Sequence, residues 1–112
     1  MVRFCEVRFT RRYDATPTEV WAALTEPESL GRWLGPVPTN VRESEPERVL
    51  ELEWLSPGDE PSVVRFELRS REGGGTELVL DHRQVNLVRS GTYMERWATA
   101  LGRLDDLLRS TP

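Results

Sequence analysis

Lysine is absent from this chain of 112 residues, and all 15 basic residues are arginine. The sequence also has only one cysteine, Cys5, and one histidine, His82. A single cysteine excludes an intramolecular disulfide, which is typical of a reducing compartment. Zinc sites usually need roughly three to four side-chain ligands, so we expect no metal site and no cofactor.

A basic surface and a membrane segment are missing as well. The formal net charge is -4 and the isoelectric point is about 5.1, whereas a duplex-binding surface needs a basic excess. No apolar run approaches the roughly 20 residues of a membrane span. Charged Arg3, Glu6 and Arg8 lie where a signal peptide needs apolar residues. We therefore expect a cytoplasmic protein with no nucleic-acid partner and no membrane span.

The fractions of hydrophobic and charged residues are those of a globular protein. Hydrophobic residues make up 38% and charged residues 30% of the chain, which predicts one folded domain over residues 1–112. The arginines are spread along the whole sequence. We therefore interpret the absence of lysine as a codon bias toward G and C rather than as dedicated anion recognition.

The chain begins with a predicted strand over residues 3–13, in which one face is apolar apart from Arg11. Arg11 shares the apolar face with Val7 and Phe9. An inward arginine needs a carboxylate or an anionic ligand. We favour the alternative, in which Arg11 lies past the core and extends to water.

Two short helices are predicted next. Thr16, followed by Pro17 and then Glu19, forms a capping box with proline at the first helical position. Pro27 ends the first helix, because the residue before a proline avoids the helical region. The second helix is predicted over residues 28–34.

Antiparallel strands and one long helix are predicted for the rest. Strands are predicted over residues 40–43, 48–55, 62–70 and 76–85. A connector is predicted over 86–91, and a helix follows. On a helical wheel its apolar residues fall within an arc of about 140°; they are Tyr93, Met94, Trp97, Ala100, Leu101, Leu104, Leu107 and Leu108. Such a stripe predicts that the helix packs across the sheet, which is an α+β fold.

This order of elements is the helix-grip arrangement. The segment RRYDATPTEVWAALTEPESLGRWLGP resembles the N-terminal signature of the START-like (SRPBCC) superfamily. Within it, the sequence is most similar to the group named after the activator of the ninety-kilodalton heat-shock protein ATPase. EPERVLELEW resembles that group's strand after its proline–proline–glutamate turn. ERWATALGRLDDLL resembles its closing helix, with Arg96 where the group often has glycine.

One departure from this group concerns the sheet. Members of the group usually carry a β-hairpin between the WLGP and EPER segments, but here only eight residues separate Pro36 from Glu45. At ~3.3 Å per residue this is too short for a hairpin and a further strand. We expect a reduced sheet of about five strands, without the closed deep cavity usual in the superfamily. The strand over 40–43 should then be an edge where another chain can pair.

His82 and the tryptophans are the candidates for a functional site. His82 shares the inward face with Leu78 and Leu80, and we interpret it as a structural histidine rather than a general base. Spacing assigns it no serine, cysteine or carboxylate partner, so no residue is predicted to be catalytic. Of the four tryptophans, Trp54 and Trp97 are expected to belong both to the core and to a pocket.

Three functions remain open. The first, implied by the resemblance together with the inward parity, is non-catalytic binding of a small hydrophobic or amphipathic ligand between the sheet and the C-terminal helix. Its predicted lining is Trp54, Phe66, His82, Tyr93 and Trp97, with Arg11 and Trp33 at the rim. The second is a protein-interaction module, either a homodimer or chaperone-cofactor-like, that uses the exposed sheet edge. The third is a cyclase-like or hydrolase-like enzyme, against which the lack of an acid–base pair argues.

Overall fold

The computed structural model describes residues 3–110 and contains five strands and three α-helices within that range. The strands are β1 (Phe4–Tyr13), β2 (Thr39–Glu45), β3 (Val49–Trp54), β4 (Ser62–Ser70) and β5 (Thr76–Asn86). The helices are α1 (Pro17–Thr25), α2 (Pro27–Trp33) and α3 (Ser90–Arg109), and a 3-10 turn over Leu87–Arg89 precedes α3. The predicted helix grip with a reduced antiparallel sheet is confirmed.

The strands form one sheet in the order β1-β5-β4-β3-β2. All neighbours are antiparallel, and the order makes the first and last strands of the chain partners in the sheet. β2 is an edge strand, as predicted, but it is longer than the predicted range and all of its residues are exposed. Its pairing with β3 shifts between Val41 and Glu43, so that Arg42 is an extra residue in a bulge. Bulges and charges of this kind discourage pairing with another strand.

The predicted capping box and proline mark the bounds of α1. Thr16 Oγ1 accepts a hydrogen bond from the Glu19 backbone N–H at 3.2 Å, and Glu19 Oε1 accepts one from the Thr16 backbone N–H at 3.4 Å. Pro27 is the first residue of α2, and α1 ends at Thr25. The capping box therefore fixes where the chain turns from β1 toward the helices.

Helix α3 covers one face of the sheet, and its stripe of buried residues is narrower than predicted. Its buried residues are Tyr93, Trp97, Ala100, Leu101 and Leu104, while Leu107 and Leu108 are partly buried. Met94 is 52% exposed, which corrects the prediction that it belongs to the buried stripe. It lies at the margin of the arc, beyond Leu101. The predicted connector was too long, because α3 begins at Ser90.

The opposite face of the sheet carries charges that pair across the strands. Glu51 on β3 accepts from Arg83 at 2.8 Å and from Arg65 at 3.4 Å, and Arg65 also donates to Glu43 at 2.8 Å. Arg65 donates a further hydrogen bond to Glu67 at 3.1 Å, and its bonds to Glu43 and Glu67 raise the pKa of Arg65. The outer face thus uses arginine for ion pairs within the sheet. No helix within residues 3–110 is long and apolar enough to cross a membrane.

Candidate functional site

The five residues predicted to line a ligand groove meet in the space between the sheet and α3. Trp54, Phe66 and His82 come from three neighbouring strands, and their alternation directs them toward the helix. Tyr93 and Trp97 lie one turn apart on α3 and face back toward the sheet. We call these five residues the aromatic cluster.

The aromatic cluster is tightly packed. The ring centroids of His82 and Tyr93 are 4.7 Å apart, those of Trp54 and Trp97 are 5.3 Å apart, and those of Phe66 and Trp97 are 6.1 Å apart. Each member is at most 6% exposed. Contacts at these distances and tilted angles are favourable for aromatic rings. The side chains therefore fill much of the space between the sheet and α3.

His82 is held by two hydrogen bonds at the centre of this cluster. Trp97 Nε1 donates to His82 Nδ1 at 3.0 Å, and His82 Nε2 lies 2.7 Å from Ser62 Oγ. An indole N–H can only donate, so Nδ1 is the acceptor. The proton of the neutral imidazole is then on Nε2 and points to Ser62. In this tautomer His82 cannot take the proton of the Ser62 hydroxyl, and the pair does not form an activated nucleophile.

Burial keeps the His82 imidazole neutral. The side chain is inaccessible to solvent, and this desolvation lowers its pKa from 6.5 to about 4. The positive charge of Arg96 lowers the pKa further, as the smaller of the two causes. His82 is thus fully buried, and both of its ring nitrogens are hydrogen-bonded.

The Asp59 carboxylate lies at one end of the aromatic cluster. The Tyr93 hydroxyl donates to Asp59 Oδ2 at 2.9 Å, and Arg89 lies 3.2 Å from the other carboxylate oxygen of Asp59. Burial and the bond to Asp59 raise the pKa of Tyr93, against smaller opposing effects of Ser56 and Trp54. A crevice of about 10 Å³ beside Tyr93 and Ser62 is close to the size of one water molecule.

One buried polar atom in the cluster, Trp54 Nε1, lacks a hydrogen bond of regular geometry to any of the described residues. It lies near enough to Tyr93 to affect that group's pKa. The Arg96 guanidinium packs over the Trp54 ring at 5.3 Å from its centroid. Buried polar groups are nearly always paired, so this indole N–H needs an explanation.

Among the clefts outside the cluster, two border α2. The first has a volume of about 470 Å³ and lies between α2 and α3, with Trp33 and Arg96 in its lining. The second, of about 280 Å³, is mostly apolar and lies between α2 and the edge of the sheet, beside Leu30 and Leu52. Leu34 borders both clefts.

The two residues predicted at the groove rim differ in burial. Trp33 is fully buried, donates from Nε1 to the Ala23 carbonyl oxygen at 2.8 Å, and has its ring centroid 6.3 Å from that of Phe66. Arg11 is partly exposed and packs over Phe9, with a hydrogen bond to the Thr10 carbonyl oxygen at 3.0 Å. Arg11 has no carboxylate partner in the described part of the chain, in agreement with the favoured interpretation.

Sequence reasoning missed Ser62 and Asp59, the polar partners of the cluster. Ser62 has the same parity on β4 as Phe66, and this was the available signal. Asp59 lies in a turn, where parity carries no information. No group of three or more histidine, cysteine, aspartate or glutamate residues within positions 3–110 is placed to hold a metal ion.

Solved structures with the same fold include three from different bacteria. Protein MLL2253 from Mesorhizobium loti is 23% identical, with a TM-score of 0.87 over 96% of this chain and 99% of that chain. CalU16 from Micromonospora echinospora is 27% identical, with a TM-score of 0.81 over 99% and 86%. The Aha1 dimer from Colwellia psychrerythraea is 16% identical, with a TM-score of 0.78 over 93% and 96%.

No protein-family model matches the sequence, and no curated protein matches it. The structural likenesses agree with the resemblance in the N-terminal segment, in the EPER strand and in the closing helix. The chain therefore has the START-like (SRPBCC) helix-grip fold and is similar in structure to the group named after the heat-shock ATPase activator.

Proposed function

We propose that this domain binds a small, mostly apolar molecule between the sheet and α3 without catalysing a reaction. The aromatic cluster would line the site. The observation that carries the proposal is the buried Trp54 N–H, whose contact with the Tyr93 hydroxyl is not a hydrogen bond of regular geometry. A buried donor without a well-formed hydrogen bond is destabilising, and a ligand carbonyl or hydroxyl oxygen would supply a better acceptor.

Binding requires the cluster to open, because its rings are in contact. Arg96 and Trp33 are the residues placed to allow this. Each of them lines the cleft between α2 and α3 on one side and contacts the cluster on the other, Arg96 through Trp54 and Trp33 through Phe66. Displacement of the Arg96 side chain would expose the Trp54 ring to the cleft.

The chemistry of His82 supports binding rather than catalysis. A general base needs a free lone pair near the proton that it abstracts. The only lone pair of His82 in the assigned tautomer accepts from Trp97, and the N–H donates to Ser62. A ligand in this site would meet rings and one indole donor, and not an activated hydroxyl.

The test uses prodan, a neutral naphthyl ketone whose fluorescence reports a nonpolar environment. We expect prodan to bind the native protein, and Trp54→Phe to weaken it about fivefold, because the hydrogen bond to the ketone oxygen is lost. Trp21→Phe is the matched control, since Trp21 on α1 packs at the margin of the core and has no ring contact with the cluster. Equal weakening by both variants, or no binding by the native protein, would refute the proposal.

A second candidate is a homodimer, favoured by the likeness to the Aha1 dimer and by the exposed edge at β2, where Val41 is 65% exposed. The bulge at Arg42 opposes long strand pairing. Native mass spectrometry of freshly purified protein reports both the number of chains and any retained small molecule. A ligand-free monomer at all concentrations would contradict the dimer. Chaperone contact and cytoplasmic location stay predictions.

A further inference from the structure

The cleft between α2 and α3 combines an apolar floor with one polar wall. Its floor is formed by nearly buried side chains, those of Trp33, Leu34 and Ala100. Its wall comes from one stripe of α3, made up of Thr92, Glu95, Arg96, Thr99 and Arg103. A cavity of about 470 Å³ is of the size that holds a small organic molecule.

The spacing of the wall residues places their polar groups in a row. Thr92, Arg96, Thr99 and Arg103 recur at intervals of four, three and four residues, which puts them on one side of a helix. The two arginines are seven residues apart, so their backbones are separated by roughly 10 Å along the axis. Long side chains can converge across this distance on a group that lies beside Thr99.

The two arginines of the cleft form no ion pair with the described residues. Within residues 3–110, ion pairs involve arginines of the sheet and of other helix positions, and neither Arg96 nor Arg103 takes part in one. Arg96 is partly buried, and its guanidinium contacts a ring instead of a carboxylate. Glu95 is the carboxylate in the lining, so the cleft has an excess of positive charge in a chain of net charge -4.

We propose that this cleft binds a small amphipathic anion, such as an aromatic carboxylate. The carboxylate lies between Arg96 and Arg103, where guanidinium forks match its geometry. The apolar part of the molecule packs on Trp33, Leu34 and Ala100. This site lies outside the aromatic cluster, although Arg96 and Trp33 border both, so it goes beyond the proposed function, and Arg103, which contributes only to the cleft, allows an independent test.

The experiment compares two probes of the same shape, 1-naphthoate and its neutral amide, 1-naphthamide, by two-dimensional NMR titration at neutral pH. We expect naphthoate to bind about tenfold more tightly than naphthamide, because only the carboxylate pairs with the arginines. The backbone amides of Thr92, Thr99 and Arg103 and the indole N–H of Trp33 should shift. Arg103→Gln should remove most of the preference for naphthoate.

Arg3→Gln is the control for charge alone, since Arg3 is exposed, has no ion pair in the described residues and lies outside the lining of the cleft. It should keep the full preference. Arg96→Gln is a second cleft variant, and loss of the preference in both cleft variants supports the site. Equal affinity for the two probes, or an Arg103→Gln protein that still prefers naphthoate, would overturn it.

Two of these variants, each tested with the probe of the other site, distinguish the cleft from the interior site. Trp54→Phe should keep the preference for naphthoate over naphthamide, because a ring still lies beneath the Arg96 guanidinium and Arg103 is unchanged. Arg103→Gln should leave prodan binding unchanged. If Trp54→Phe abolishes naphthoate binding while Arg103→Gln does not, the anion enters the aromatic cluster and the cleft is not its site.

Discussion

At the scale of single residues, His82 shows how two neighbours determine the chemistry of an imidazole. Trp97 occupies the Nδ1 lone pair, and Ser62 accepts from Nε2. Protonation would place a second hydrogen on Nδ1, opposite an indole N–H that can only donate. Folding therefore favours the neutral form, in addition to the effect of burial.

The stability of the native protein should fall as the pH is lowered from about 7 to 5. The pKa of His82 is about 4 in the folded protein against 6.5 in the unfolded chain, so between these values only the unfolded chain binds the proton. This difference removes about 2 kcal/mol of unfolding free energy by pH 5. Urea unfolding at a series of pH values measures it.

His82→Gln is the comparison variant for this effect, because the amide can keep one donor and one acceptor without titrating. His82 is the one histidine of the chain, so no other histidine contributes in this range. The variant should lose the decrease between pH 7 and 5 that native protein shows. Parallel profiles for the two proteins would mean that the pKa of His82 is not lowered on folding.

The sequence predicted which way the residues of the site face, but not which polar groups they contact. Parity placed Trp54, Phe66 and His82 on the inward face of the sheet. The partner Ser62 lies 20 residues from His82 in the chain, and the pairing of β4 with β5 brings the two together. Such a contact depends on register, which alternation alone leaves undefined.

At the scale of elements, two glycines have opposite structural roles. Gly75, before β5, lies so close to β1 that a Cβ atom would be 2.7 Å from the Tyr13 carbonyl oxygen. Gly102, in the middle of α3, has no atom within 4 Å of the same position. One glycine is therefore required by close packing of the backbone, and the other weakens a helix.

Gly75→Ala should destabilise the protein by about 1–3 kcal/mol, because backbone atoms of β1 have to move. Gly102→Ala should stabilise it by about 1 kcal/mol, because alanine loses less backbone entropy in a helix. Thermal unfolding followed by circular dichroism measures both changes. A stable Gly75→Ala protein would show that the β4–β5 turn can shift away from β1.

Element boundaries were predictable where local chemistry defines them. The capping box at Thr16 and the proline at position 27 gave the start and end of α1 correctly. The start of α3 was placed too late, because the 3-10 turn over Leu87–Arg89 has no apolar period and its cap comes from the Asn86 side chain. Met94 was misplaced because a helical wheel does not show where the neighbouring sheet ends.

At the scale of the whole molecule, both tyrosines connect distant parts of the chain. The Tyr13 hydroxyl on β1 donates to the Leu101 carbonyl oxygen on α3 at 3.1 Å, and Tyr93 on α3 donates to Asp59 in the β3–β4 connection. Burial is the main cause that raises the pKa of both hydroxyls above 10.0. The native fold therefore keeps both tyrosines protonated in alkaline solution.

We expect the folded protein to lose stability above about pH 10, where the unfolded chain releases the tyrosine protons and the native state does not. Ionisation should appear together with unfolding, as a cooperative rise in phenolate absorbance. The urea-unfolded chain should titrate gradually at lower pH. A native protein with a gradual phenolate titration near the ordinary tyrosine value would contradict this prediction.

The reduced sheet was predictable because the linker between α2 and β3 is too short for a further hairpin, and the five observed strands agree with this. The filling of the interior was not predictable in the same way. Whether inward aromatic residues line a cavity or pack on one another depends on the distance between sheet and helix. That distance is a property of the whole fold and not of any segment.

The pairing of β1 with β5 has a consequence for synthesis on the ribosome. β1 is made early, yet its only partner in the sheet follows after β2, β3 and β4. The tryptophan that completes the aromatic cluster, Trp97, lies on α3, later still. A nascent chain therefore keeps its first strand unpaired until β5 has left the exit tunnel, and its inward rings stay uncovered until α3 has followed. Folding of this domain should accordingly be late and nearly all at once, rather than progressive from the N-terminus.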